Sequence, residues 1–172
     1  IPLPTKDITM LIPFNSSEKA CEAVSAVFRA GITPSALEFI ERDAIDWALK
    51  YTDVKLQIDD EVQAYLLVEV DGDNMDLLYK DCERIFEVMD NFDCGEILLA
   101  DSERQKNQIW KLRKEIAESV KSNSVYKEED TVVPRAELAK LLKGVKAIGK
   151  AYGFQSVCYG HAGDGNLHIN II

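Results

Sequence analysis

Only two histidines and four cysteines occur among the 172 residues, and basic side chains are outnumbered: 20 Lys and Arg against 30 Asp and Glu, a formal charge of −10. A field of that sign repels a nucleic-acid groove or an anionic membrane, so no nucleic-acid partner is expected. Cys21, Cys82, Cys94 and Cys158 show no CxxC spacing. They read as small apolar residues in a reducing compartment, not as a disulfide or zinc framework. No apolar run approaches the roughly 20 residues that span a bilayer, and no leader-like segment precedes the first strand pattern. Runs of like charge are short; the longest candidate, Lys127-Glu128-Glu129-Asp130, is mixed in sign. These absences leave a cytoplasmic protein as the expectation. What is present, 47% hydrophobic residues with 29% charged, suffices for one domain with a real core.

Periodicity predicts a strand over 8–14 and then a helix capped at Asn15, with Glu18 completing a capping-box-like pattern. That helix carries Ala20, Val24, Val27 and Phe28 at helical spacing and stops at Gly31. A strand over 37–40, a short helix over 42–51, an exposed loop over 55–63 and a strand over 64–70 follow. Next come a helix over 75–91, a strand over 95–100, and a long helix from a cap at Asp101 or Ser102 to about Lys121. Ile109, Leu112, Ile116 and Val120 form the inner stripe of that helix. Pro134 suits the first turn of a last helix reaching about Tyr152. The repeated strand–helix–strand rhythm predicts an α+β, ferredoxin-like fold, a largely antiparallel sheet with helices packed on one face, and hints at two such units.

Most of the chemistry lies in residues 159–170. Strand-like runs over 155–161 and 166–172 flank a Gly-Asp-Gly turn, and Asp164-Gly165 signals a two-residue hairpin loop that sets His161 opposite His168. A four-residue loop makes the two diagonal neighbours instead, on the same face. Asn166, His168 and Asn170 share that face with His161. Two imidazoles so placed suit a divalent metal that finds a third ligand; they equally suit a half-solvated polar face. Arg113 flanks the apolar stripe of its helix, where a guanidinium either grips a substrate carboxylate or snorkels to water. Glu38, on an apolar strand, either faces a site or, more simply, serves a cross-strand or capping role; Asp164 reads as a turn residue close enough to bond a histidine. The glycines of 160–165 are spaced GxxGxG and lead into a strand, which excludes a dinucleotide-binding fingerprint.

The segment Gly160-His161-x-Gly163-Asp164-Gly165-Asn166-Leu167-His168 resembles the signature of the C-terminal domain of FAD-linked oxidases, the family of glycolate oxidase subunits, D-lactate dehydrogenases and D-2-hydroxyglutarate dehydrogenases. Weaker similarities fall in family order: Ile1-Pro2-Leu3-Pro4, Arg29-Ala30-Gly31-Ile32-x-Pro34-x-Ala36-Leu37-Glu38-Phe39, Trp110-x-x-Arg113 and Asp130-x-x-Val133-Pro134. The resemblance implies that residues 1–7 are a linker from a missing upstream FAD domain. Residues 8–172 are then the substrate- and metal-binding domain, truncated at its C-terminus. It implies a fragment of a FAD-dependent 2-hydroxy-acid dehydrogenase or oxidase of the D-lactate or glycolate type, inactive alone. FAD would sit chiefly on the upstream domain. A divalent metal, Zn²⁺ or Mn²⁺, would be held by His161 and His168 plus a glutamate beyond Ile172, where the base is also expected. No catalytic residue is then expected within the chain. Arg113 and Asn170 would contact the small 2-hydroxy-acid substrate. Further partners implied are the upstream domain and an electron-acceptor protein or quinone, with peripheral membrane association left open. Members acting on D-2-hydroxyglutarate carry a threonine and a lysine where this chain has Ala117 and Glu128, which argues against a dicarboxylate. Two other readings stay open: a non-catalytic ferredoxin-like binding module with a surface histidine pair, and a metal-dependent hydrolase, for which no activating carboxylate is placed.

Overall fold

The computed structural model describes residues 3–51, 53, 58–100 and 102–172. Ile1 and Pro2 of the expected linker, residues 55–57 of the expected loop and Asp101 as a helix cap lie outside that set. Strands are β1 (Lys6–Phe14), β2 (Ala36–Glu41), β3 (Ala64–Gly72), β4 (Leu98–Leu99), β5 (Lys127–Val132), β6 (Ser156–Gly160) and β7 (Asn166–Ile171). Helices are α1 (Ser17–Arg29), α2 (Arg42–Tyr51), α3 (Met75–Met89), α4 (Glu103–Asn123) and α5 (Leu138–Tyr152). The strands form one sheet in the order β4-β1-β3-β2-β6-β7-β5, and every pairing in it is antiparallel.

That order resolves into two units. β1-α1-β2-β3-α3-β4 gives the ferredoxin-like order 4-1-3-2, with α2 inserted between its second and third strands. β5-α5-β6-β7 repeats the first three strands of the same pattern, and β2 joins β6 edge to edge through Phe39↔Gly160 and Ile40↔Tyr159. The α+β class and the two-unit rhythm therefore hold. The expectation of helices on one face does not. Met10, Ile12, Leu66, Val68 and Phe39 face α1, α3 and α5, whereas Leu11, Ile40 and Leu67 face α2 and α4. β1, β2 and β3 carry apolar residues on both faces, so a helical layer is buried on each side.

Local chemistry accounts for the ends. Ser16, not Asn15, caps α1, accepting from the Lys19 N–H at 3.3 Å. At its far end Gly31 N–H donates to the Phe28 carbonyl and Ile32 N–H to that of Val27, the pair of bonds of a Schellman stop. Ser102 caps α4 through the Gln105 N–H. The strand expected over 95–100 shrinks to Leu98–Leu99. β5 had no counterpart in the sequence reading, because Lys127, Glu128, Glu129 and Asp130 hide its β signal. Charged side chains are characteristic of an edge strand, which β5 is. Pro134 precedes a single 3-10 turn, Arg135–Glu137, before α5 begins.

α4 crosses the sheet and is pinned to it by polar contacts on four of its strands. Lys106 Nζ lies 2.6 Å from Asp7 of β1, and Trp110 Nε1 donates to Glu69 of β3 at 2.9 Å. Arg113 reaches Glu38 of β2 at 2.7 Å, and Lys121 reaches Glu128 of β5 at 3.1 Å. No helix among the described residues is long and apolar enough to cross a membrane.

Candidate functional site

The site forms on the α4 face of the sheet, at the seam between the two units. β6 and β7 pair with Val157↔Asn170 and Tyr159↔His168 in register, which puts Tyr159, His168 and Asn170 on the face that Val157 and Tyr159 share with α4. Beyond the ladder, the Asn166 N–H donates to the His161 carbonyl at 3.1 Å. The connection is thus four residues, 162–165, built as a 3-10 turn, Ala162–Asp164, closed by Gly165 at φ 75°. The two-residue Asp164-Gly165 loop is corrected accordingly, and the histidines meet diagonally, ring centroids 5.9 Å apart in an edge-to-face arrangement. Two glycines make this geometry possible. A Cβ on Gly160 would stand 2.5 Å from the Asn166 carbonyl oxygen, and one on Gly165 would stand 2.0 Å from that of Val133.

Glu38 is 5% exposed on β2. It caps no helix; it acts across strands, one step beyond the Phe39↔Gly160 pair, where it meets His161 at the end of β6. Its Oε2 accepts from Arg113 Nε and Nη2, each at 2.7 Å, while its Oε1 receives His161 Nδ1 at 2.7 Å. The signal was available: Leu37 and Phe39 point to the opposite face, so a carboxylate between them enters the other core and requires a cationic partner. Arg113, 8% exposed, is that partner, and the snorkelling alternative fails. Its guanidinium carbon also lies 5.1 Å from the centre of the Tyr159 ring.

His168 sits on the other side of the site. Its ring stacks on Tyr159 at 5.4 Å, and its Nδ1 lies 3.4 Å from Glu128 and 3.6 Å from Asp130, the two carboxylates that β5 turns to this face. Asn170 is fully buried; its amide and the Tyr159 hydroxyl lie against each other without forming a hydrogen bond of ordinary geometry. Burial pushes that phenol above its ordinary value. Buried polar groups left unpaired cost about 1–3 kcal/mol each. Asp164 acts within the turn, its N–H donating to the His161 carbonyl. A cavity of about 280 Å³ opens beside His161, walled by Phe28, Pro34, Leu37, Glu38 and Arg135.

The donor set suits half of a divalent-metal site. With Nδ1 turned to Glu38, Nε2 is the ring nitrogen of His161 that faces away from the carboxylate and toward a cation. Among the described residues no group of three His, Cys, Asp or Glu side chains converges to complete a cage.

Residues 3–172 match the family model described as FAD linked oxidases, C-terminal domain. The chain belongs to that family. It is 31% identical to a D-lactate dehydrogenase of Anaerostipes hadrus over 174 residues, covering 98% of this chain and 37% of that protein. It is also 31% identical to glycolate oxidase subunit GlcD of Escherichia coli (strain K12) over 173 residues, covering 100% of this chain and 34% of that one. The chain thus spans about a third of the length of these FAD-linked relatives. The architecture also matches a solved alkyldihydroxyacetonephosphate synthase, with a TM-score of 0.72 at 11% identity over 98% of this chain and 36% of that one. Residues 160–168, the segment that resembles the family signature, hold the four-residue connection together with His161 and His168.

Proposed function

We propose that this chain is the substrate-binding part of a FAD-dependent dehydrogenase or oxidase of short 2-hydroxy acids, of the kind that oxidises D-lactate or glycolate. The observation that carries the reading is the arrangement at the seam. A buried guanidinium, an imidazole pair and a buried amide lie on one sheet face and are linked through Glu38 and Tyr159. That juxtaposition suits an α-hydroxy carboxylate, which needs a cationic fork for the carboxylate and a polarising group for the neighbouring hydroxyl.

Arg113 carries five N–H donors, of which Glu38 takes two, so three are left to receive a substrate carboxylate. Asn170 adds a buried amide that meets the Tyr159 hydroxyl and has further hydrogen-bonding capacity for a substrate oxygen. A divalent cation, Zn²⁺ or Mn²⁺, held by His161 and His168 supplies Lewis-acid polarisation of the 2-hydroxyl when bound. FAD, held by another part of the protein upstream of residues 1–7, supplies the hydride acceptor. Tyr159 keeps the two sides of the site at fixed separation, with Arg113 and His168 both against its ring. The carboxylates of Glu128 and Asp130 beside His168 disfavour a second negative charge on the substrate, so monocarboxylic 2-hydroxy acids are preferred over 2-hydroxyglutarate. Electrons leave by an acceptor protein or a quinone.

The test is steady-state oxidation of D-lactate, glycolate and D-2-hydroxyglutarate by the full-length protein with an artificial acceptor, alongside flavin and metal analysis. Stoichiometric FAD with turnover on a monocarboxylic 2-hydroxy acid is expected. A flavin-free protein, or one indifferent to all three acids, defeats the proposal.

A further inference from the structure

Glu38 uses both carboxylate oxygens on residues from different parts of the site. Oε2 takes the side edge of the Arg113 guanidinium on α4, and Oε1 takes Nδ1 of His161 at the end of β6. The side chain is almost wholly enclosed, whereas that of His161 is 57% exposed. The carboxylate is therefore held from within, while the imidazole projects toward the surface. We infer that Glu38 is a positioning residue that joins the two halves of the site, fixing His161 as the Nδ1–H tautomer and Arg113 in one orientation. This rests on the function proposed above.

The physical content is directional. An ionised carboxylate has no proton to give, so the ring nitrogen it meets must donate. The other ring nitrogen, Nε2, is then the atom offered to a cation, with its basicity raised by the carboxylate behind it. At the same time the Nε–Nη2 edge of Arg113 is occupied, so only the remaining Nη hydrogens are available to a substrate. One buried side chain thus sets the metal-facing atom of one residue and the substrate-facing edge of the other.

Glu38→Gln separates this from a merely structural role, because the amide keeps the shape and changes the rules. Arg113 is donor-only, so the amide oxygen must turn to it, which aims the NH₂ group at His161. His161 must then accept on Nδ1 and carry its proton on Nε2. A tautomer swap is expected, read by nitrogen NMR of ¹⁵N-histidine-labelled, metal-free full-length protein and assigned by loss of the signal in His161→Ala. Zinc affinity, by calorimetry with Zn²⁺, is expected to fall 10- to 100-fold in Glu38→Gln. An Nε2–H tautomer in the wild type overturns the inference even if the variant does not fold. So does a folded Glu38→Gln protein that keeps the Nδ1–H tautomer, or one that binds zinc within twofold of wild type. A wild type with the Nδ1–H tautomer that swaps in the variant, yet binds no zinc, removes the metal from the proposed function and leaves Glu38 as the link between His161 and Arg113.

Discussion

Tyr159 stands opposite His168 in the β6–β7 ladder, the two rings stacked 5.4 Å apart, and the same phenol carries the Arg113 guanidinium carbon 5.1 Å from its centre. One aromatic ring therefore stands between His168 and Arg113, while Glu38 ties Arg113 to His161.

On the histidine side, His161→Ala or His168→Ala in the full-length protein is expected to abolish Zn²⁺ or Mn²⁺ retention. Turnover should fall by at least about 10²-fold, since hydroxyl polarisation acts mainly in the transition state. Flavin content is expected to stay at the wild-type level. Full activity in metal-free variants would mark the hairpin as structural.

On the arginine side, Arg113→Lys keeps the charge but loses the planar fork that Glu38 grips from one edge. KM for the hydroxy acid is expected to rise by about tenfold, with a smaller loss of kcat. Equal losses in kcat and kcat/KM with KM unmoved would argue against carboxylate anchoring.

Removing the buried partner has a separate thermodynamic signature. Glu38→Ala strands the Arg113 charge in the interior, and urea unfolding is expected to show a loss of about 3–5 kcal/mol. The double variant Glu38→Leu with Arg113→Met is expected to be more stable than Glu38→Leu alone. A cycle of Glu38→Leu, Arg113→Met and the double variant in which the two single losses simply add would contradict the pairing.

The turn beneath the histidines is sterically fixed. Gly165→Ala combines a φ of 75° with a Cβ 2.0 Å from the Val133 carbonyl, whereas a Cβ on Gly144 in α5 meets nothing within 4 Å. A loss of more than about 2 kcal/mol is expected for the first, and a gain of about 0.5–1 kcal/mol for Gly144→Ala. Melting temperatures that move together would refute the contrast.

The thiols give a pH-dependent test. Burial pushes Cys158 from its ordinary value of 9.0 up to about 12 and Cys82 up to about 11. At pH 8 the Cys158 thiolate is then on the order of 10⁻⁴ of the population, and aromatic disulfide reagents should label it only on unfolding. Because the folded values lie above the unfolded ones, this contribution to stability is complete below about pH 9. It declines as pH rises through the folded values. Rapid labelling of Cys158 in native protein near neutrality would show that the strand opens.

Much of this was legible in the residues. The stripe Ile109–Leu112–Ile116–Val120, the strand at Ala64 and the helix at Arg42 carry periodic patterns that tertiary packing did not override. The histidine pair was legible only as a choice between two loop lengths, because Asp164-Gly165 matches a hairpin signal while Gly165 in fact closes a 3-10 turn. β5 was not legible, since an edge strand that turns Glu128 and Asp130 toward His168 lacks the apolar alternation that marks a strand. Glu38 was visible as a charged residue in an apolar run. Its two partners lie 75 and 123 positions away, a distance no local pattern spans.

The pins along α4 restrict how this part of the molecule can vary. Lys106, Trp110, Arg113 and Lys121 each meet a different strand, so the helix is indexed along its axis as well as packed. Inserting one residue between Trp110 and Arg113 would turn everything beyond it by about 100°, carrying the guanidinium off Glu38 and Lys121 off Glu128 together. Side chains on the outer surface of α4 are free to drift, but the spacing between its pins is not.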